Sequence, residues 1–376
     1  MNIAFFGSSL VSAYWNGAAT YYRGLLKALS QLGYQITFYE PDAYDRQRHR
    51  DIGDPPWAKV VVYPGHGFEG VYQALESAEG ADAIVKASGV GVFDEFLEKT
   101  VLEIKRPGAL AIFWDVDAPA TLDRVQHDPG DPFGDLIPLY DFIFTYGGGA
   151  PVVNAYRALG ARACVPIYNA LDPSTHFPAP PDPRFEGDLG FLGNRLPDRE
   201  ARVDSFFFRA ASLSPESGFV LGGNGWDDKL MPPNVRYVGH VYTADHNAFN
   251  CTPRAVLNIS RESMARYGYS PATRIFEAAG AAACVITDAW EGIELFLEPG
   301  REALVAASGE ELAEIVANLS PQRARELGWK AQARVLAEHT YAHRAQQLDA
   351  LLRGRRPGGA RSRYAGTARD AAEAIL

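Results

Sequence analysis

Apolar residues in this chain alternate between short unbroken runs and longer stretches where they recur at helical spacing. The runs Ile3 to Phe6, Gln35 to Tyr39, Lys59 to Tyr63, Ala83 to Lys86, Leu110 to Trp114, Phe142 to Thr145 and Ala163 to Pro166 predict strands. Between the first two, Tyr22, Leu25, Leu26, Leu29 and Leu32 fall on one helical face, and Gly33 marks its end. A strand, loop, helix and strand in that order form a βαβ unit, which requires parallel pairing. Its repetition predicts an α/β fold with a doubly wound, Rossmann-like sheet. After the proline-rich stretch 178–187 the pattern restarts. Strands are predicted at Asp188 to Leu192, Gly218 to Leu221, Val235 to Val238, Ala255 to Asn258 and Ala283 to Thr287. Helices are predicted at Glu200 to Ala211, Pro271 to Ala279, Gly309 to Leu319 and Pro321 to Ala350, the last broken near His339.

This division predicts domains at 1–177 and 188–335, joined by a semi-rigid linker at 178–187. A final helix, 336–353, precedes a basic flexible tail, 354–376. The 376 residues suffice for two full cores without disulfide or metal staples. With 36 Lys and Arg against 46 Asp and Glu, the net charge of −10 argues against nucleic acid as a partner. Cys164, Cys251 and Cys284 are too far apart in sequence for a CxxC pair, a cysteine-only zinc site or a disulfide framework, and they fit a reducing, cytoplasmic setting. No apolar run reaches the roughly 18 residues of a membrane span.

The strongest chemical signal is 270–288, SPATRIFEAAGAAACVITD. Ser270 reads as an N-cap and Pro271 as the first helical residue, so the helix would offer unpaired N–H groups to a phosphate. Arg274 and Glu277 share a face three residues apart and could read phosphate and ribose; a plain surface ion pair is the alternative. A second signal is 191–200, FLGNRLPDRE, where Gly193 permits close backbone approach beside Asn194, and Arg195 and Arg199 could clamp a diphosphate. The alternative there is a polar loop with solvated charges. In 111–119, AIFWDVDAP, Asp115 and Asp117 follow a strand and form a D-x-D pair. Asp117 could serve as a base or stabilise an oxocarbenium-like centre, or it could cap a helix.

Weaker signals are His66 in a Gly-rich loop, the glycines of 146–151, and His339 with His343 at i, i+4 spacing, where an ordinary helix surface outweighs a metal site. The tail arginines Arg353, Arg355, Arg356, Arg361, Arg363 and Arg369 could at most touch anionic lipid peripherally; a solvated end is the plainer reading.

Taken together, FLGNRLPDRE, NVRYVGHVY, LNISRESMARYGYSPATRIFEAAGAAACVITDAWEGIELF and EPGREALVA resemble the C-terminal domain of group-1 glycosyltransferases of the GT-B fold, nearest to the CgeB-like (spore maturation protein) branch. The first half agrees more loosely, through IAFFG, YYRGLLKALSQLGYQITFYEPD and VVNAYRALGARACVPIYNALDP. The resemblance implies two Rossmann-like domains facing across a cleft, with a nucleoside-diphosphate-sugar donor held by the second, an unidentified acceptor by the first, and the final helix, 336–353, crossing back toward the first. Glu277 matches the second of the family's two glutamates, the ribose ligand; the first would fall at Tyr269 and is absent. Arg195 and Arg199 match the diphosphate clamp. His240, Val241 and Tyr242 match the resting place of the base. Trp15, Asn16 and Gly17 match the loop that touches diphosphate and acceptor, and Asp117 stands where many relatives carry a histidine. The implied activity is sugar transfer with no cofactor and no metal. A nucleotide-sugar epimerase of the same architecture and a non-catalytic glycan-binding protein are the alternatives.

Overall fold

Seven parallel strands build one sheet of the first unit: β1 (Asn2–Phe6), β2 (Gln35–Asp42), β3 (Lys59–Pro64), β4 (Ala83–Ala87), β5 (Leu110–Asp115), β6 (Phe142–Thr145) and β7 (Cys164–Pro166). Their spatial order is β3-β2-β1-β4-β5-β6-β7. The strands are short and largely apolar because helices cover the sheet, so both sides of each central strand are buried. Phe5 on β1 stacks on Phe38 of β2 at 5.2 Å and meets Tyr22 of the first helix edge-on at 5.3 Å. The helix Ala19–Gln31 carries the predicted apolar face inward. It also receives the last helix, Tyr341–Leu352: a Cβ on Gly24 would lie 2.1 Å from the Tyr341 ring, so the two helices meet where no side chain intervenes.

A computed structural model describes residues 1–128 and 130–354 of the chain and separates Met1–Tyr168, with the chain from Tyr341 onward, from Asn169–Thr340. The second unit holds β8 (Leu189–Leu192), β9 (Phe219–Gly222), β10 (Val235–Tyr237), β11 (Ala255–Asn258), β12 (Val285–Asp288) and β13 (Leu304–Ala306), all parallel, in the order β10-β9-β8-β11-β12-β13. Two parallel doubly wound sheets, one in each unit, are the predicted fold class. Among the described residues no helix is long and apolar enough to cross a membrane. Of the tail arginines, Arg355, Arg356, Arg361, Arg363 and Arg369 lie outside the described residues.

Several local expectations are corrected. The units change over between Tyr168 and Asn169, and 178–187 belongs to the second unit, where Phe185 packs on Phe249 at 5.2 Å. Prolines gave this stretch the look of a linker, but one aromatic anchors it to the core. β13 has only three residues, too few to show a period. The helix predicted from Glu200 runs from Pro197 to Leu213 with a π turn at Asp204–Phe208, which buries Phe206, Phe207 and Phe208. The helix predicted from Pro271 starts at Thr273. Ser270 does not cap it: its hydroxyl donates to the Gly268 carbonyl (2.9 Å). His339 ends the helix Pro321–Glu338 and is fully buried, while His343 lies in the next helix, so the two share no helical face.

Candidate functional site

In an open α/β sheet, the loops leaving two adjacent strands diverge where the strand order reverses, and ligands bind there. In the second sheet this point lies between β8 and β11. The loop after β8 holds Gly193, Asn194, Arg195 and Arg199. It is tied to the loop after β9: Gly193 N–H donates to Gly222 O (2.9 Å), Trp226 Nε1 donates to Gly193 O (2.8 Å), and Asn194 Oδ1 accepts from Asn224 N–H (2.9 Å). Gly223 adopts φ +121°, and a Cβ there would sit 2.3 Å from Gly193 O, so this contact requires glycine. Arg195 sits between Glu200 and Asp228, at 2.7 Å from each. Arg199 is half-buried, its Nη1 3.0 Å from where a Gly193 Cβ would stand. Val241 is buried in the small core of Leu192, Val220 and Phe249, whereas Tyr242 is 68% exposed and stands edge-on to His240 at 4.6 Å.

The helix Thr273–Gly280 follows β11 and carries Arg274 and Glu277, whose side chains are both largely buried. This rules against the plain surface pair. Arg274 Nη1 and Glu277 Oε2 are 3.9 Å apart, and Glu277 Oε1 lies 3.9 Å from His176 Nε2. Neither separation is a hydrogen bond. Burial pulls the Glu277 carboxyl upward, but the charges of His176, Arg274 and His246 outweigh it and hold the group below its ordinary value. Among the described residues no donor stands at hydrogen-bond distance from this largely buried carboxylate, which leaves its oxygens for water or a ligand. Tyr269, at the place of the absent glutamate, takes φ +48° and donates its hydroxyl to Glu291 Oε1 (2.8 Å). A left-handed tyrosine is strained, and such strain concentrates where loops serve ligands.

Two histidines complete this cluster, and sequence reasoning missed both. The stretch from Leu171 to His176 runs against the end of the helix; a Cβ on Gly280 would lie 2.3 Å from Leu171 and 3.1 Å from His176 O. His246 enters from the helix His246–Cys251, and the two imidazole rings are 6.4 Å apart. No spacing links His176, His246 and Glu277 in the sequence, so no local pattern could find them.

Burial, seconded by the Arg274 charge, pushes the His246 imidazole down to about 4. The native state therefore refuses a proton that the unfolded chain accepts near pH 6.5. Between these values the unfolded state binds more protons, so stability rises with pH and falls on acidification. From pH 7 to pH 5 this group should cost about 2 kcal/mol. His246→Gln should flatten that part of the profile in urea unfolding under EDTA; a variant as acid-sensitive as wild type would contradict it.

The first sheet reverses between β1 and β4. Trp15, Asn16 and Gly17 leave β1. Trp15 is 68% exposed with φ +46°, and a Cβ on Gly17 would meet open space. Asn16 is buried and holds the loop: its Nδ2 donates to Ser9 O (2.9 Å) and Ser12 O (3.0 Å), and its Oδ1 accepts from Ser8 Oγ (2.9 Å). His66 is exposed after the edge strand β3, two strands from the reversal. Asp117 begins the helix Ala118–His127 at the end of β5, yet its side chain makes no capping bond. Asp115 is fully buried and accepts from Ser88 Oγ (2.8 Å), Thr121 Oγ1 (3.0 Å), Asp117 N–H (3.1 Å) and Tyr156 OH (2.5 Å). Its oxygens are spent, so the D-x-D pair does not present two carboxylates to a cation.

A family model described as glycosyl transferase-like matches residues 199–350, which include Arg199, His246, Arg274 and Glu277. No curated protein matches the chain in sequence. Among solved structures, it is similar to sucrose-phosphate synthase from Thermosynechococcus elongatus, at 15% identity over 94% of this chain and 98% of that one, TM-score 0.68. HepE from Anabaena in complex with UDP and glucose is similar at 14% identity over 94% and 100%, TM-score 0.66. The DNA-modifying β-glucosyltransferase, solved with and without uridine diphosphoglucose, is similar at 11% identity over 94% and 100%, TM-score 0.60. At such identities the likeness establishes the fold, that of GT-B glycosyltransferase structures.

Proposed function

We propose that this protein is a glycosyltransferase that moves a sugar from a nucleoside-diphosphate-sugar, with UDP as the first nucleotide to test, onto an acceptor hydroxyl. The observation that carries this reading is Glu277, a largely buried carboxylate that no donor among the described residues reaches at bonding distance. A ribose diol supplies two O–H donors of the kind it lacks. The position agrees with the strand reversal and with the glycosyl transferase-like match. FLGNRLPDRE and the following motifs favour the CgeB-like branch.

In this reading Arg195, Arg199 and the N-terminus of the helix Thr273–Gly280 stabilise the leaving diphosphate. Arg195 can rotate from two partly solvated carboxylates toward phosphate, a modest exchange because exposed ion pairs contribute little. Gly193 and Asn194 shape the loop, and Val241 with Tyr242 receives the base. Asp117 faces the transferred sugar, while Trp15, Gly17 and His66 serve the acceptor. Transfer needs no metal, since arginines supply the charge. Incubation with a panel of nucleotide-sugars should release free nucleoside diphosphate. Release of a new nucleotide-sugar would mean epimerisation, and no turnover with any donor would mean a binding protein.

Arg195→Ala should weaken UDP binding about tenfold and leave uridine binding unchanged, because its partner is phosphate. Calorimetry with both ligands reads this, and equal losses would return Arg195 to a purely structural pairing with Glu200 and Asp228.

A further inference from the structure

We propose that His176, His246 and Glu277 form a Zn²⁺ site in the second unit, and that metal and nucleotide exclude one another there. One ligand atom from each residue lies within 4.8 Å of the other two. His176 Nε2 and Glu277 Oε1 are 3.9 Å apart. Ligands around a tetrahedral zinc stand about 3.3 Å apart, given bonds of about 2.0–2.1 Å. Small side-chain rotations therefore close the cage.

The hydrogen bonds around the cluster decide which atoms point into it. Thr175 Oγ1 lies 3.1 Å from the Asp172 carbonyl and 3.0 Å from His176 Nδ1, and the other ring nitrogen, Nε2, faces Glu277 Oε1. A zinc-bound His176 would keep its proton on Nδ1, toward Thr175, and give the Nε2 lone pair to the metal. Thr175 thus gives His176 the kind of outer partner that metal-bound histidines use to fix their tautomer. His246 enters from the helix His246–Cys251, and its ring stands 6.4 Å from that of His176. With both rings neutral, as zinc requires, two imidazole nitrogens and a carboxylate oxygen would share one cation. Two imidazoles and one carboxylate suit zinc's borderline character. Arg274, 3.9 Å from Glu277 Oε2, is the charge that opposes a cation, and it stands on the oxygen turned away from His176.

The exclusion, unlike the site itself, rests on the reading of Glu277 as the ribose ligand. A carboxylate bound to zinc cannot also accept from the diol as it does in the free enzyme. Zinc would then inhibit a reaction that needs no metal.

The test uses the full-length chain freed of metal by EDTA and dialysis. Co²⁺, the probe, should produce visible d–d absorption at one equivalent, and Zn²⁺ should displace it. His176→Ala and, separately, His246→Ala should each weaken Co²⁺ binding by at least 100-fold, more than the loss of an outer partner costs. Circular dichroism identifies a variant that fails to fold; His246 is the more exposed of the two histidines, so its variant is the safeguard. Uridine binding is then titrated with and without Zn²⁺, uridine being chosen because it lacks a chelating diphosphate. Wild type should lose uridine affinity at least tenfold in Zn²⁺, and a folded His variant should not respond. Absence of stoichiometric Co²⁺ binding, or unchanged Co²⁺ affinity in both folded variants, overturns the site. If the His176 imidazole and Glu277 share a proton instead of a metal, the first of these results is the one observed. Co²⁺ bound at the three residues without any effect on uridine keeps the site and removes Glu277 from the ribose.

Discussion

Replacing Glu277 with alanine should weaken both uridine and UDP binding by about 10- to 100-fold, to the same degree for each ligand. The size follows from losing a charge-assisted hydrogen-bond acceptor, about 1.5–3 kcal/mol. Equality across the two ligands follows from the ribose, which they share. Arg195→Ala should separate the same two ligands, so the pair of variants forms a crossed test in which each residue has its own pattern. Glu277 also offsets the charge of Arg274, which is itself largely buried. The alanine variant therefore leaves a buried cation without its carboxylate and loses stability as well. Glu277→Gln keeps the shape and one acceptor, and it should fall between wild type and alanine in affinity. Calorimetry on the folded variants in EDTA is the measurement. If both variants bind uridine as wild type does, Glu277 does not read the ribose, whatever the stability change.

The parts of this fold legible in sequence are those where local pattern and tertiary environment agree. The buried parallel strands of both sheets are continuous apolar runs, and Gly33 stops the first helix where the periodicity ends. Legibility failed where a long-range partner decided the outcome. Ser270 has the identity of an N-cap, but its hydroxyl is taken by Gly268 O, and the helix begins three residues later. The prolines of 178–187 suggest a linker until Phe185 finds Phe249, 64 positions further along the chain. The candidate site divides in the same way. Arg274 and Glu277 were readable because helical spacing joins them. His176 and His246 were not, because only the folded chain brings them beside Glu277.

Asp115 is the clearest case of a residue whose type suggested chemistry and whose surroundings assign it to the fold. Its substitution by alanine should cost about 3–5 kcal/mol of stability, among the largest single-residue effects in the first unit. The carboxylate accepts from the hydroxyls of Ser88, Thr121 and Tyr156 and from the Asp117 amide, joining the ends of β4 and β5 to two helices. Each donor left buried without an acceptor costs about 1–3 kcal/mol. The sum is smaller than four such losses, because Thr121 can turn fully to Asp117 O, at 3.4 Å in the native state. Burial raises the Asp115 carboxyl above its ordinary value while the four donors work against that rise, so the group is built for internal bonding rather than for display. Asp115→Asn keeps an acceptor oxygen and should lose markedly less. Urea unfolding of both variants, with and without EDTA, is the measurement. The structural role predicts the same loss in both buffers. A metal ligand would behave in the opposite way: wild type would be stabilised by Mn²⁺ or Mg²⁺ and the alanine variant would not, and that result would return the D-x-D pair to the chemistry of the diphosphate.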